Sequence, residues 1–114
     1  MDVRSDCEDT AFMIRICLSE PDGDFHLTET ITSLRHLDPE YVPGRRITID
    51  LETPPMAFTV REGCRIRVDI SSTGGAYVPH ANVRGHWAEV TETKIANNTV
   101  ICGENAWIQL SEHP

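Results

Sequence analysis

The chain has 114 residues and a formal net charge of −8, from 18 acidic against 10 basic side chains. That balance argues against nucleic acid or an anionic membrane as a partner, because both require a cationic footprint. With 39% hydrophobic and 25% charged residues, the composition is that of one globular domain, long enough to bury a core without staples. No apolar run approaches the ~18 residues of a membrane span, and no secretory signal pattern opens the chain.

Residues 1–8 are polar and acidic without periodicity, and read as a disordered leader or an artificial boundary ahead of one domain over 9–114. Phe12, Ile14, Ile16 and Leu18 then alternate with Met13, Arg15 and Cys17, the period of two that puts alternate side chains on opposite faces of a strand. Pro21-Asp22-Gly23 is a turn signal. Beyond it, Phe25, Leu27 and Ile31 share one parity and Thr28, Thr30 and Thr32 the other, which predicts a second strand pairing back as a hairpin. Residues 36–44 hold two prolines and a glycine and form a loop.

Ile47, Ile49 and Leu51 against Thr48, Asp50 and Glu52 predict a third strand, broken by Thr53-Pro54-Pro55 because proline cannot donate to a ladder. A short strand is expected over Phe58–Val60, and Glu62-Gly63 turns the chain. The sharpest alternation follows. Cys64, Ile66, Val68 and Ile70 fall on one parity, and Arg65, Arg67 and Asp69 on the other, predicting a buried and a wet face. A long irregular loop comes next, carrying Ser71, Ser72, Tyr77, Pro79, His80, Asn82 and Trp87. A long loop held by so well patterned a strand suits a binding or docking surface. Trp87–Thr93 is ambiguous between strand and coil. Asn97-Asn98 turns the chain before Val100–Cys102, and Gly103-Glu104-Asn105 precedes a last strand over Trp107–Leu110. No window shows a helical period. About seven or eight short strands with these turns indicate an all-β antiparallel sandwich with little or no helix.

The stretch from Phe58 to Gly85 resembles a known family. Phe58, Gly63, Arg65, Ile66, Arg67, Val68, Ile70, Ser71, Ser72 and Gly85 fit F-x-x-x-x-G-x-R-[IL]-R-[VL]-x-[IV]-S-S followed by a long loop ending in glycine. This looks like the C-terminal β-sandwich domain of X-prolyl dipeptidyl peptidases and cocaine-esterase-type acyl hydrolases. Asp9-Thr10, Pro21-Asp22-Gly23 and Leu34-Arg35 resemble the opening of the same domain, in the right order. The resemblance runs from about Asp9 to Leu110. Inside the loop the chain departs from the family pattern, with Gly75-Ala76 where Phe-Pro is usual, and only Asn82 and Gly85 kept from the closing Asn-x-Asn-Thr-Gly. What the resemblance implies is a jelly-roll topology (galactose-binding-domain-like) and a partner, an N-terminal α/β-hydrolase domain of the same polypeptide that carries the serine triad. It also leaves room for a homo-oligomer of that parent.

No catalytic residue is expected in this chain. It has no G-x-S-x-G nucleophile elbow and no strand–helix alternation to carry one. Ser71 and Ser72 with His80 and His86 make a triad only on paper. No cofactor and no metal site are expected. Cys7, Cys17, Cys64 and Cys102 lack close ligand spacing. His80, His86 and Glu89 are close in sequence, and Gly74 lies six residues before His80 as at the start of a cupin motif, but Asn82 stands where its second histidine belongs. Cys64 and Cys102 read as small buried hydrophobes; spacing leaves either four free thiols or two disulfides open, and free thiols suit a reducing compartment, hence the expected cytoplasmic location. Arg45-Arg46 and Arg61, Arg65 and Arg67 read as solvated strand faces, and the Asn97-Asn98-Thr99 sequon as chance.

The function expected is therefore that of a non-catalytic C-terminal domain of a serine hydrolase, an X-Pro dipeptidyl peptidase or an acyl esterase. It would pack on the catalytic domain and help shape the substrate cleft. Ser71, Ser72, Tyr77, His80, Asn82 and Trp87 form the expected contact loop. The alternative is a carbohydrate-binding sandwich module in which Tyr77 and Trp87, with Trp107 as a further aromatic, stack on a sugar and His80 and Asn82 bond hydroxyls. Against it, Trp107 reads as core, and Tyr77 and Trp87 as packing the loop on the sandwich or a partner domain.

Overall fold

The computed structural model describes residues 1–112. Its regular elements are β1 (Asp2–Ser5), β2 (Ala11–Glu20), β3 (Gly23–Ser33), α1 (Leu34–Leu37), β4 (Ile47–Thr48), β5 (Arg65–Ser71) and β6 (Asn98–Ile101). They form two three-stranded antiparallel sheets, ordered β4-β1-β6 and β3-β2-β5. The all-β class holds, and one short helical turn is the only helix among the described residues. Among the described residues six strands form, against the seven or eight expected.

The hairpin read from Pro21-Asp22-Gly23 is the spine of the larger sheet. β2 pairs with β3 from Ala11↔Ser33 to Glu20↔Gly23, and Gly23 turns the chain at φ 148°, a region glycine enters without steric cost. On its other side β2 pairs with β5 from Met13↔Ser71 to Ser19↔Arg65. A bulge interrupts the hairpin: Ile16 faces Thr28 but Cys17 faces His26, so Leu27 is the extra residue. The expected common face of Phe25 and Ile31 is lost at this point. Phe25 lies opposite Leu18 and Ile31 opposite Met13, on opposite sides of the sheet.

The two sheets meet at one end. Val3 of β1, Phe12 of β2, Leu34, Tyr41 and Ile49 form the core cluster, with Met1, Ile47, Leu51 and Val100 packed around it. The disordered leader expected over residues 1–8 is corrected here. β1 is the central strand of the smaller sheet, and Val3 is 0% exposed. Its four residues are too short to show a period, and their polar members are satisfied internally. Asp2 accepts from Thr48 Oγ1 at 2.7 Å, Asn105 Nδ2 at 3.0 Å and Arg46 Nε at 2.7 Å. The buried Tyr41 hydroxyl donates to Ser5 C=O and accepts from Ser5 N–H, both at 3.0 Å. Those bonds let a polar segment be buried without stranding its groups.

Other expectations fail for the same kind of reason. Phe58–Val60 and Trp107–Leu110 have apolar spacing but find no partner strand, and the third expected strand shrinks to Ile47–Thr48. Trp87–Thr93 contains a turn and no strand. Trp107, read as core, is 63% exposed. Cys64 is half-buried and Cys102 exposed, while Cys7 and Cys17 are the buried thiols, and all four are free. On β5 the wet face is wet as expected: Arg67 is ion-paired to both Asp24 and Asp69. Its apolar row is only partly covered, with Val68 39% and Ile70 43% exposed.

Candidate functional site

The long loop leaves β5 at Ser71, whose Oγ donates to Thr73 C=O at 2.7 Å, while Ser72 is exposed. At Gly74 it folds back over the larger sheet so closely that a Cβ there would overlap Met13 Sδ and Cε. Met13 is buried beneath it. A side chain at this position would have to displace the end of the Met13 side chain.

Further on, the loop is tied to the turn between β1 and β2 by a polar knot. Asp9 Oδ1 accepts from Thr10 N–H at 2.9 Å and from Arg35 N–H at 3.0 Å, so one carboxylate holds both this turn and the start of α1. Its Oδ2 lies 3.2 Å from His80 Nε2. Asn82 N–H donates to His80 Nδ1 at 2.9 Å. With Nδ1 accepting, neutral His80 carries its proton on Nε2, directed at Asp9. Thr10, fully buried, donates from Oγ1 to Asn82 Oδ1 at 2.8 Å and accepts from Asn98 Nδ2 at 3.1 Å. Asn82 Nδ2 in turn donates to Lys94 C=O at 2.8 Å. Asn82 sits at φ 61°, the left-handed region that asparagine tolerates better than other side chains, which is why this residue can serve all three contacts.

Burial pushes the Asp9 carboxyl up, but the bond from His80, the Arg35 and Thr10 N–H groups and the charge His80 bears when its ring is protonated outweigh it, leaving Asp9 below the ordinary carboxylate range. The pair is thus built to hold the loop, with Asp9 ionised at neutral pH.

An open cleft of about 410 Å³ lies between Ala11, Ile31 and Ser33 of the sheet, His36 of α1, and Tyr77 and Val78 of the loop. His80 borders it from the knot. Tyr77 and His80 thus line one cleft, and Asn82 is bonded to His80 behind it. Trp87 is not part of this group. It is 79% exposed and its ring lies 5.6 Å from that of His86, its neighbour in sequence. Ser71 and Ser72 stand at the strand end and line none of the cleft.

No serine hydroxyl donates to a histidine among the described residues, and none of their His, Cys, Asp and Glu side chains gather in threes that could hold a metal. Asp9 and Thr10, the residues that anchor the loop, carry no signal of chemistry in the sequence. Only their place before the first long strand and their recurrence in the family opening mark them.

Two small antiparallel sheets, a core at one end and a long loop pinned by polar side chains define a small all-β domain. A family model fits the chain over residues 2–111, nearly its whole length: the X-Pro dipeptidyl-peptidase C-terminal non-catalytic domain. The chain belongs to this family. No curated protein and no solved structure gives a significant match to it. No helix among the described residues is long and apolar enough to cross a membrane.

Proposed function

We propose that this domain packs on a catalytic serine-hydrolase domain of the same polypeptide and helps wall its substrate cleft, with the loop from Ser71 to Trp87 as the contacting surface. The observation that carries the reading is the pairing of anchorage with exposure. The knot of Asp9, Thr10, His80 and Asn82 fixes the base of the loop, while Val78 at 83% and Trp87 at 79% stand out in solvent. Large apolar side chains held outward on a braced segment suit an interface, because burying them in a partner returns their transfer free energy without a further ordering cost. The half-covered apolar row of β5 offers a second area to the same partner.

In this reading the parent's chemistry is removal of Xaa-Pro dipeptides or hydrolysis of esters, and the domain has a jelly-roll, galactose-binding-like topology. Four free thiols accord with a reducing, cytoplasmic setting. A sugar-binding role for Tyr77 and Trp87 has less support, since Tyr77 lines the cleft and Trp87 does not.

Amide hydrogen exchange tests the reading. Residues 74–87 should exchange more slowly in the full polypeptide than in the 114-residue chain alone. Equal protection in both would remove the loop from the interface.

A further inference from the structure

Two histidines of the long loop make the same kind of bond. His80 Nδ1 accepts from the N–H of Asn82 at 2.9 Å, and His86 Nδ1 from the N–H of Ala88 at 3.2 Å. A ring nitrogen accepts only while it carries no proton, so each bond belongs to the neutral imidazole alone. His86 is exposed, and losing its bond frees only a surface turn. His80 is half-buried and gripped from both sides.

On one side Asp9 Oδ2 lies 3.2 Å from His80 Nε2. On the other, Asn82 is fixed by its side chain, whose Oδ1 accepts from Thr10 and whose Nδ2 donates to Lys94 C=O. A proton added at Nδ1 would therefore set two donors head to head. The ring does not withdraw, because protonation turns its contact with Asp9 into a charge-assisted pair, the stronger kind of hydrogen bond. Nor is the Asn82 side chain free to carry its residue away.

A half-turn of the peptide between Ala81 and Asn82 resolves the conflict. It swings the Asn82 N–H away and brings the Ala81 C=O round to accept from Nδ1–H. It also takes Asn82 out of the left-handed region at φ 61°, a conformation side chains adopt at a cost. What it gives up is the bond from Lys94 N–H to Ala81 C=O at 2.9 Å.

We infer that His80 is a proton-operated latch on the long loop: neutral, it accepts from Asn82 N–H; protonated, it donates to Ala81 C=O, and Lys94 lets the loop go. Tyr77 and Val78 wall the cleft between two fixed points, this turn and the bond from Tyr77 N–H to Gly74 C=O at 3.0 Å. Opening the latch frees one of the two. The loop carries this latch whatever surface it meets, so the switch stands apart from the docking role.

The other charged groups around the ring are engaged elsewhere. Arg35 gives Asp9 its main-chain N–H and directs its guanidinium to Tyr41 C=O at 3.1 Å. The Lys94 ammonium lies 3.8 Å from Glu8. His36 of α1 and the Tyr77 phenol, which share the cleft with His80, are the remaining titratable groups there.

Hydrogen exchange of the full polypeptide, resolved to single residues, tests the latch at about pH 8 and about pH 5.5, either side of the ordinary imidazole range and above that of carboxylates. With labelling times scaled for intrinsic exchange, the amides of Asn82 and Lys94 should together lose about fivefold in protection at the lower pH, as for one main-chain bond each. Residues 11–33 should keep theirs. His80→Asn places an acceptor where Nδ1 stands but takes no proton, and should abolish the step. His80→Gln keeps a donor toward Asp9 without that acceptor, so its Asn82 amide should exchange at about pH 8 as fast as the parent's does at about pH 5.5. His36→Asn should leave the step intact. No step in the parent, a step shared by residues 11–33, one that survives His80→Asn, or one that His36→Asn removes overturns the inference.

Discussion

β1 and β5 make opposite impressions in sequence and have opposite fates in the fold. β5 alternates without fault from Cys64 to Ile70, yet Val68 and Ile70 on its apolar row are 39% and 43% exposed. β1 is four residues, two of them charged, and it is the central strand of its sheet with Val3 fully buried. Alternation reports which side chains could be buried together; whether a layer covers them depends on the rest of the molecule. β5 sits at the edge of the larger sheet, and the smaller sheet reaches only the Phe12 end of it. β1 is covered because Phe12, Leu34, Tyr41 and Ile49 converge on Val3.

The harshest way to break the comparison is to delete residues 1–5. If β1 is the central strand of its sheet, the chain should lose cooperative thermal unfolding altogether, as followed by circular dichroism. Removing a true leader would leave the melting curve unchanged.

A paired truncation sharpens it. Val3→Ala should cost about 2 kcal/mol in denaturant titrations, from lost methyl burial plus a cavity that the close-packed core cannot refill. Val68→Ala in the same chain should stay within about 0.5 kcal/mol, as for exposed sites. If Val68→Ala becomes as costly as Val3→Ala once the full polypeptide is used, the β5 row is covered there by another domain. Equal costs in the isolated chain would mean that β5 is already buried.

The smallest effect concerns acid. Asp2 is held below the ordinary carboxylate range by the Thr48, Asn105 and Arg46 bonds, and Asp9 by the His80 bond and the Arg35 and Thr10 N–H groups, which outweigh its desolvation. Both groups are protonated more readily unfolded than folded. Their stabilising contribution is therefore complete above the unfolded carboxylate pKa of about 3.9 and is lost as pH falls through the lower folded values. Asp9→Asn should cost about 1 kcal/mol at pH 7, from weakened bonds to His80 and the two N–H groups. Between pH 5 and 3 its stability should fall less steeply than that of the parent, with a residual slope from Asp2. An unchanged slope would mean that Asp9 does not carry the loop anchor.

What was legible of the candidate site is that its loop is one local segment. Tyr77, His80 and Asn82 stand in one loop with glycines and a proline around them; Tyr77 and His80 line one cleft, and Asn82 is bonded to His80. The anchor was not legible, because Asp9 and Thr10 lie about seventy residues from His80 and Asn82 in the chain and only the fold brings them within hydrogen-bond reach. Nor was the separation of Trp87 from Tyr77, two aromatics that sequence distance alone suggests could share a surface.

Short-range order was decided by the sequence itself. The period of two across Phe12–Leu18 and Thr28–Thr32, closed by Pro21-Asp22-Gly23, specifies the hairpin because each signal spans only a few bonds. The ordered motifs from Asp9 to Leu110 likewise place the chain in its family. Tertiary structure alone decided which apolar rows are covered, which polar groups are matched and which strands find partners. Burial and pairing are relations between distant segments, so Phe58–Val60 stays coil with a strand's pattern while Asp2–Ser5 becomes a strand without one.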